Sequence, residues 1–449
     1  MKYVIFTIAA LGVPPLSFLL FLNSRWMRYV LWGMAAAMFA WQGTAINFLS
    51  HETYRGSARG MEVSLLYLLA AAILLALFLR RKVHSALPDI GFKIYLVYFL
   101  LGLPSFSAAA SMELAWCEMW KMIMLYTVCL TLFWYLRATG DVQSLLVLFA
   151  MVVIGNFIVV AKDHYAGVYQ PHGIFPHRNC MAMAMNLLGP FFFASYLTNG
   201  TRKWTGIVFA LTGACAGIAA LWSYSRGAIA VVPVGYGLTA LACFRERRHT
   251  HAKVIRLLPL VLAVAIGAVF MLPRLVDRFE NATPASANTR VELALCAAEM
   301  IKDEPLRGVG INNWGIKINA PYPYAERAGR LIPEGMGPDG VVETVYLLVC
   351  AECGIPALIA MLAWFGWYWL LAVRLLRRLR GTKWYFIAAG AVGGLTANYL
   401  QSTLEWVLRQ QMNLVCLMGV FALLSYLGSE WRRLVAAEKK TAPLGKECP

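Results

Sequence analysis

The 449-residue chain is 60% hydrophobic and only 14% charged, with a mean hydropathy of +0.62. Soluble domains carry roughly 25% charged residues, so no water-soluble fold hides this much apolar surface. The formal net charge of +17 sits in short basic clusters between apolar blocks; that pattern reads as membrane topology, and no basic surface with base-reading elements indicates nucleic acid.

Taken in chain order, the apolar blocks approach the ~20 residues that cross a bilayer core. They predict spans at Tyr3–Leu22, interrupted by Pro14 and Pro15, then Met27–Leu49, Val63–Leu79, Ile90–Leu103, Leu114–Leu136 and Ser144–Ala161. Further blocks are Cys180–Leu197, Trp204–Trp222, Ala228–Phe244, Leu257–Leu272, Thr344–Leu371, Trp384–Leu404 and Met412–Leu427. The expected fold is therefore an all-α polytopic membrane bundle of about 12–13 helices, without the short alternating segments of a transmembrane β-barrel. The N-terminal run lacks a small-residue cleavage site and reads as a retained first span.

Basic connections set the orientation. Arg25/Arg28, Arg80/Arg81/Lys82, Arg137, Arg202/Lys203, Arg245–Arg256, Arg374–Lys383 and the tail from residue 430 all fall on one side, which is predicted to be cytoplasmic. The other side receives His51–Arg59, Lys162–Asn179, the turn Ser223–Arg226 and one long connection, Pro273–Val342. That connection holds 9 of the 23 acidic residues and 8 basic ones, and is the one segment resembling a small extramembrane domain. Its Asn288–Lys302 part reads as an amphipathic helix, opened by a capping box of Thr289 and Glu292 and closed by Pro305.

Most of the ten cysteines, including Cys117, Cys129, Cys215, Cys243 and Cys416, lie in apolar blocks as small core residues. Cys350 and Cys353 have no second pair to complete a zinc site. Ionisable residues at span ends are functional candidates by default. Arg226 stands at a span junction after Ser225, where a snorkelling arginine is the plain alternative. Arg290 lies on the loop helix and Arg307 in the Gly-rich turn after it. Glu343 sits where the long loop re-enters the membrane, and His177, Arg178 and Asn179 precede another span. Glu113, Glu118 and Lys121 flank or enter the fifth block as a possible ion pair. Neither an Asp-rich divalent-metal motif nor a P-loop is present.

Four runs share one resemblance. They are Gly173–Ala182 (GIFPHRNCMA), Ser223–Gly227 (SYSRG), Arg290 through Glu304–Gly310 (EPLRGVG), and Tyr346–Pro356 (YLLVCAECGIP). In order and spacing, with the long outer loop between them, they resemble the O-antigen ligase and polymerase superfamily of bacterial inner membranes, from Gly173 to about Trp364. The resemblance implies a helical bundle with a long periplasmic loop. It also implies a glycosyltransferase that moves a glycan from undecaprenyl diphosphate to an acceptor hydroxyl without metal, nucleotide or other cofactor, with lipid A-core or another glycan as acceptor. Catalytic roles fall to Glu343, Arg290 and Arg226, and substrate binding to His177, Arg178, Asn179, Ser225, Arg307 and Tyr346. One position departs from the pattern: ligases usually carry histidine and asparagine where this chain has Glu343 and Thr344. A ligase, a polymerase of lipopolysaccharide or exopolysaccharide, and a polysaccharide transporter or flippase remain the alternatives. A transporter would tend to show paired broken helices in two related halves, and no such repeat is present.

Overall fold

The computed structural model describes residues 2–82, 89–198, 203–246, 250–258, 284–330 and 340–441. Among them, nine helices are long and apolar enough to cross a membrane. Three shorter helices, Met27–Phe39, Leu65–Leu79 and Tyr385–Gln401, complete the apolar set. Together they occupy every predicted block except Leu257–Leu272, which lies outside the described residues beyond Leu258. Among the described residues, strand is confined to the pair Ile46–Phe48 and Met61–Val63, antiparallel with Asn47 opposite Glu62.

Three sequence expectations are corrected. The block Met27–Leu49 is not one span: the helix ends at Phe39, and the chain then runs through a short helix at Trp41–Thr44 into the first strand. The loop helix runs from Pro284 to Asp303, so Thr289 lies inside it and does not cap it. Pro284 starts it instead, a residue whose fixed φ suits the first helical turn. The first helix, Lys2–Leu22, runs unbroken through Pro14 and Pro15.

Helix Arg178–Thr198 forms the centre and is buried almost throughout. It packs against helices Lys203–Trp222, Arg226–Arg245 and Tyr385–Gln401. Small residues permit this closeness, as in many membrane bundles. A Cβ added to Gly390 would stand 2.4 Å from the Phe191 Cα, and one on Gly394 would stand 2.3 Å from the Leu187 carbonyl oxygen.

The long loop is joined to the bundle at a kink. Helix Val345–Arg378 breaks at Gly354, where φ is +83°. The break lets Pro305–Gly310 thread against it: Val309 N–H donates to Ala351 O (2.9 Å), Gly310 N–H to Glu352 O (3.1 Å), and Ile355 N–H to Pro305 O (2.8 Å). Beneath this junction lies a buried ionic cluster. Arg409 bridges Glu118 (2.9 Å) and Glu352 (2.5 Å), and Lys121 pairs with Glu118 (2.7 Å). The pairing of Glu118 with Lys121 is the one their spacing suggested. Asn312 ties the same region to the outer hairpin: its side chain accepts from Ser57 N–H and donates to the Ala58 and Leu114 carbonyls. Two acids against two bases leave the cluster neutral, the condition under which buried charge is tolerated.

Candidate functional site

Three helices begin at one place. The starts of Arg178–Thr198, Arg226–Arg245 and Val345–Arg378 all abut the connection 402–410, between the last two spans. Val345 N–H donates to Ser402 O (3.2 Å) and the Thr344 hydroxyl to the same oxygen (3.3 Å). The Asn179 side-chain amide donates to Glu405 Oε2 (2.5 Å). A Cβ on Gly227 would meet Leu404 at 3.3 Å and Glu405 Oε1 at 3.8 Å. Helix starts carry unsatisfied N–H groups and partial positive charge, so their convergence favours an anion.

Arg290, from the loop helix, lies over this junction. Its Nη2 stands 4.0 Å from Glu343 Oε2 and 3.8 Å from Glu405 Oε1. Glu405 is almost fully buried, while Glu343 and Arg290 remain about a third or more exposed. Burial, then the neighbouring Glu343 charge, pushes Glu405 up to about 7, against the pull of Arg290 and the Asn179 amide. Burial likewise raises Glu343, opposed by Arg290, by its hydrogen bond to Glu405 and by Arg178. Two neighbouring carboxyls do not both ionise readily, so the pair resists carrying two negative charges. It titrates as a unit.

The remaining predicted residues distribute as follows. Asn179 is buried in the site, and Arg178 opens its helix beside it. His177 lies at the same helix start, where its Nδ1 accepts from Asn179 N–H (3.2 Å). Desolvation, then the charges of Arg178 and His172, lowers its pKa. Ser225 is the cap of the helix that Arg226 opens, its hydroxyl accepting from Ala228 N–H (3.4 Å). Arg226 is one residue from the Gly227–Glu405 contact and forms no ion pair with either carboxylate among the described residues. Tyr346 lies one turn below, its hydroxyl donating to Tyr399 O (2.9 Å). Arg307 is not brought to the others. It forks onto Glu304 (2.8 Å) and reaches Ser107 (3.0 Å), and the helix before it ends thirteen residues, or about 20 Å at 1.5 Å per residue, beyond Arg290.

Sequence reasoning missed Glu405. It sits just past the end of an apolar block, on the side that also receives the long loop, so the membrane-edge criterion that singled out Glu343 applied to it equally.

Around the junction, then, stand three arginines (178, 226 and 290), three helix starts and two neighbouring carboxylates, Glu343 and Glu405. Such a site can hold a phosphorylated group and accept a proton beside it. Residues 211–362 match the family model described as O-antigen ligase; they contain Arg226, Arg290 and Glu343, and Glu405 lies beyond them. No curated protein matches the chain. That stretch is thus similar to the O-antigen ligase family, within a chain that is an all-α multi-pass membrane protein.

Proposed function

We propose that this protein moves a glycan from undecaprenyl diphosphate to an acceptor hydroxyl, in the manner of an O-antigen ligase, at the periplasmic face of the bacterial inner membrane. The observation that carries this reading is the Arg290 guanidinium set between Glu343 and Glu405 where three helix starts meet. In the reaction, ionised Glu343 takes the proton of the acceptor hydroxyl as its oxygen attacks the anomeric carbon. The bond from that carbon to the diphosphate oxygen breaks, and undecaprenyl diphosphate leaves with the electron pair. The leaving group is already anionic and needs cations rather than a strong acid. Arg178, Arg226 and the helix starts supply them, since guanidinium forks match phosphate oxygens and stay charged at any pH. Glu405 keeps its proton, so Arg290 faces one net negative charge and stays free to stabilise charge that develops in the transition state.

A polymerase reading is favoured by one feature, Glu343 in place of the ligase histidine; the acceptor is then a second lipid-linked glycan. Purified protein given lipid-linked donor with either lipid A-core or excess lipid-linked glycan separates the two by product size. Absence of transfer to both acceptors, with donor bound, contradicts both readings.

A further inference from the structure

At the end of the bundle opposite the candidate site, two parallel helices outrun the membrane. Past its kink at Gly354, Val345–Arg378 runs a further 24 residues, and Gln411–Thr441 has 31, about 36 and 46 Å against a hydrocarbon core of about 30 Å. They stay in register: a Cβ on Gly428 would stand 3.1 Å from Leu371 Cδ1. Their far ends carry exposed Arg374, Arg377, Arg378, Arg380 and Lys383 on one side, and Arg432 and Arg433 on the other. From 374 to 383 the sequence has no carboxylate.

Nearby acids are engaged elsewhere. Glu430 lies 3.7 Å from Arg137 and 3.9 Å from Arg433, Glu246 takes Lys253 and Gly381 N–H, and Glu438 takes Lys383 N–H. Among the described residues none forms an ion pair with Arg374, Arg377, Arg378 or Arg380. Like charges three and four residues apart on a helix repel, so the cluster is unfavourable without a counter-anion.

The arginines are also arranged around tryptophans of the interfacial kind. The guanidinium carbons of Arg378 and Arg432, from different helices, lie 5.3 and 5.5 Å from the centroid of the single ring of Trp431, and Arg374 lies 5.3 Å from that of Trp367. Trp431 is half-buried, with the guanidiniums of Arg378 and Arg432 both close to its ring.

We infer that the arginine cluster at the ends of these two helices binds an anionic phospholipid with two phosphates, of the cardiolipin type, its phosphates taken by Arg378 and Arg432 beside Trp431. Arginines at this level suit phosphate recognition by their planar forks, and basic clusters just outside a span are the usual seat of anionic headgroups. A two-phosphate lipid fits better than a singly charged one because the two guanidiniums belong to separate helices and share one ring.

The test uses the full-length protein in neutral phosphatidylcholine vesicles. Melting temperature is measured before and after addition of cardiolipin, of phosphatidylglycerol at equal phosphate, and of inorganic phosphate. Native mass spectrometry counts retained lipid. Cardiolipin is expected to raise the melting temperature and to be retained as one adduct. An R378Q/R432Q double variant should keep the wild-type melting temperature in neutral lipid yet lose both effects. An equal rise with phosphatidylglycerol or with inorganic phosphate, no rise at all, or an undiminished rise in the variant would overturn the inference. Glycan transfer is not needed for any arm, so this result and the fate of the glycosyltransferase reading are separable.

Discussion

A base that accepts a sugar hydroxyl proton has to be ionised without being over-stabilised by its neighbours, and Glu343 meets both conditions through its partners. Arg290 holds the charge of Glu343, while neighbouring Glu405 limits that hold. Glu343→Gln retains shape and hydrogen bonding but cannot accept the proton; transfer should fall about 10²–10⁴-fold, with donor binding retained. Glu343→His recreates the ligase pattern and should recover part of the loss. Arg290→Lys and Arg226→Lys keep charge but lose the fork, and each should transfer well below the wild-type rate; near-normal rates in both would remove the clamp. Glu405 adds a pH dependence. Its pKa is raised in the fold to about 7 from an ordinary 4.5, so the folded state binds the proton more tightly than the unfolded chain. Its stabilising contribution is complete below about pH 4.5 and is lost as pH rises through about 7. Melting temperature should therefore decline across that window in the wild type and decline less in Glu405→Gln.

At the scale of elements, the loop helix acts only if it is held against the bundle, and Gly354 and Arg409 hold it. At Gly354 the backbone adopts φ +83° and ψ 172°, a region essentially reserved for glycine, and an added Cβ would lie 2.3 Å from Leu306 O. Gly354→Ala should destabilise by at least about 1–3 kcal/mol and release the loop, seen as faster proteolysis between residues 284 and 330. Arg409→Met leaves Glu118 and Glu352 buried without their shared cation and should cost about 3–5 kcal/mol, read from denaturant unfolding. Most spans were legible in the sequence because apolar length alone decides them. The break after Phe39 was not, because Gln42–Asn47 still reads as mildly apolar and only pairing with Met61–Val63 makes it strand. The loop helix was found, but its start was set four residues late, since Thr289 matches a capping pattern that Pro284 pre-empts.

For the whole molecule, the arrangement of charge around helix starts was only half legible. Arg226, Asn179 and Glu343 stood at span ends, Arg290 on the loop helix, and all were marked there. Glu405 shares no motif with them, and its role follows from 61 residues of intervening chain that return beside Glu343. Arg307 shows the converse, marked for its neighbourhood in sequence and placed in the turn beyond the far end of the loop helix. The orientation is testable on the same footing. In a Cys448→Ser background, Leu306→Cys, with 74% exposure, should react with an impermeant thiol reagent in intact cells, and Arg377→Cys only after lysis; the reverse pattern would place the site in the cytoplasm. The most direct measurement of the central claim is glycan transfer from lipid-linked donor by purified wild-type, Glu343→Gln and Glu405→Gln protein, with melting temperature recorded on the same samples. A carboxylate pair at the reaction centre predicts a loss of about two orders of magnitude or more in Glu343→Gln at an unchanged melting temperature, and a shifted pH profile in Glu405→Gln. A Glu343→Gln protein that transfers glycan at the wild-type rate while melting earlier would contradict it, and would leave the pair as a structural clasp on the loop.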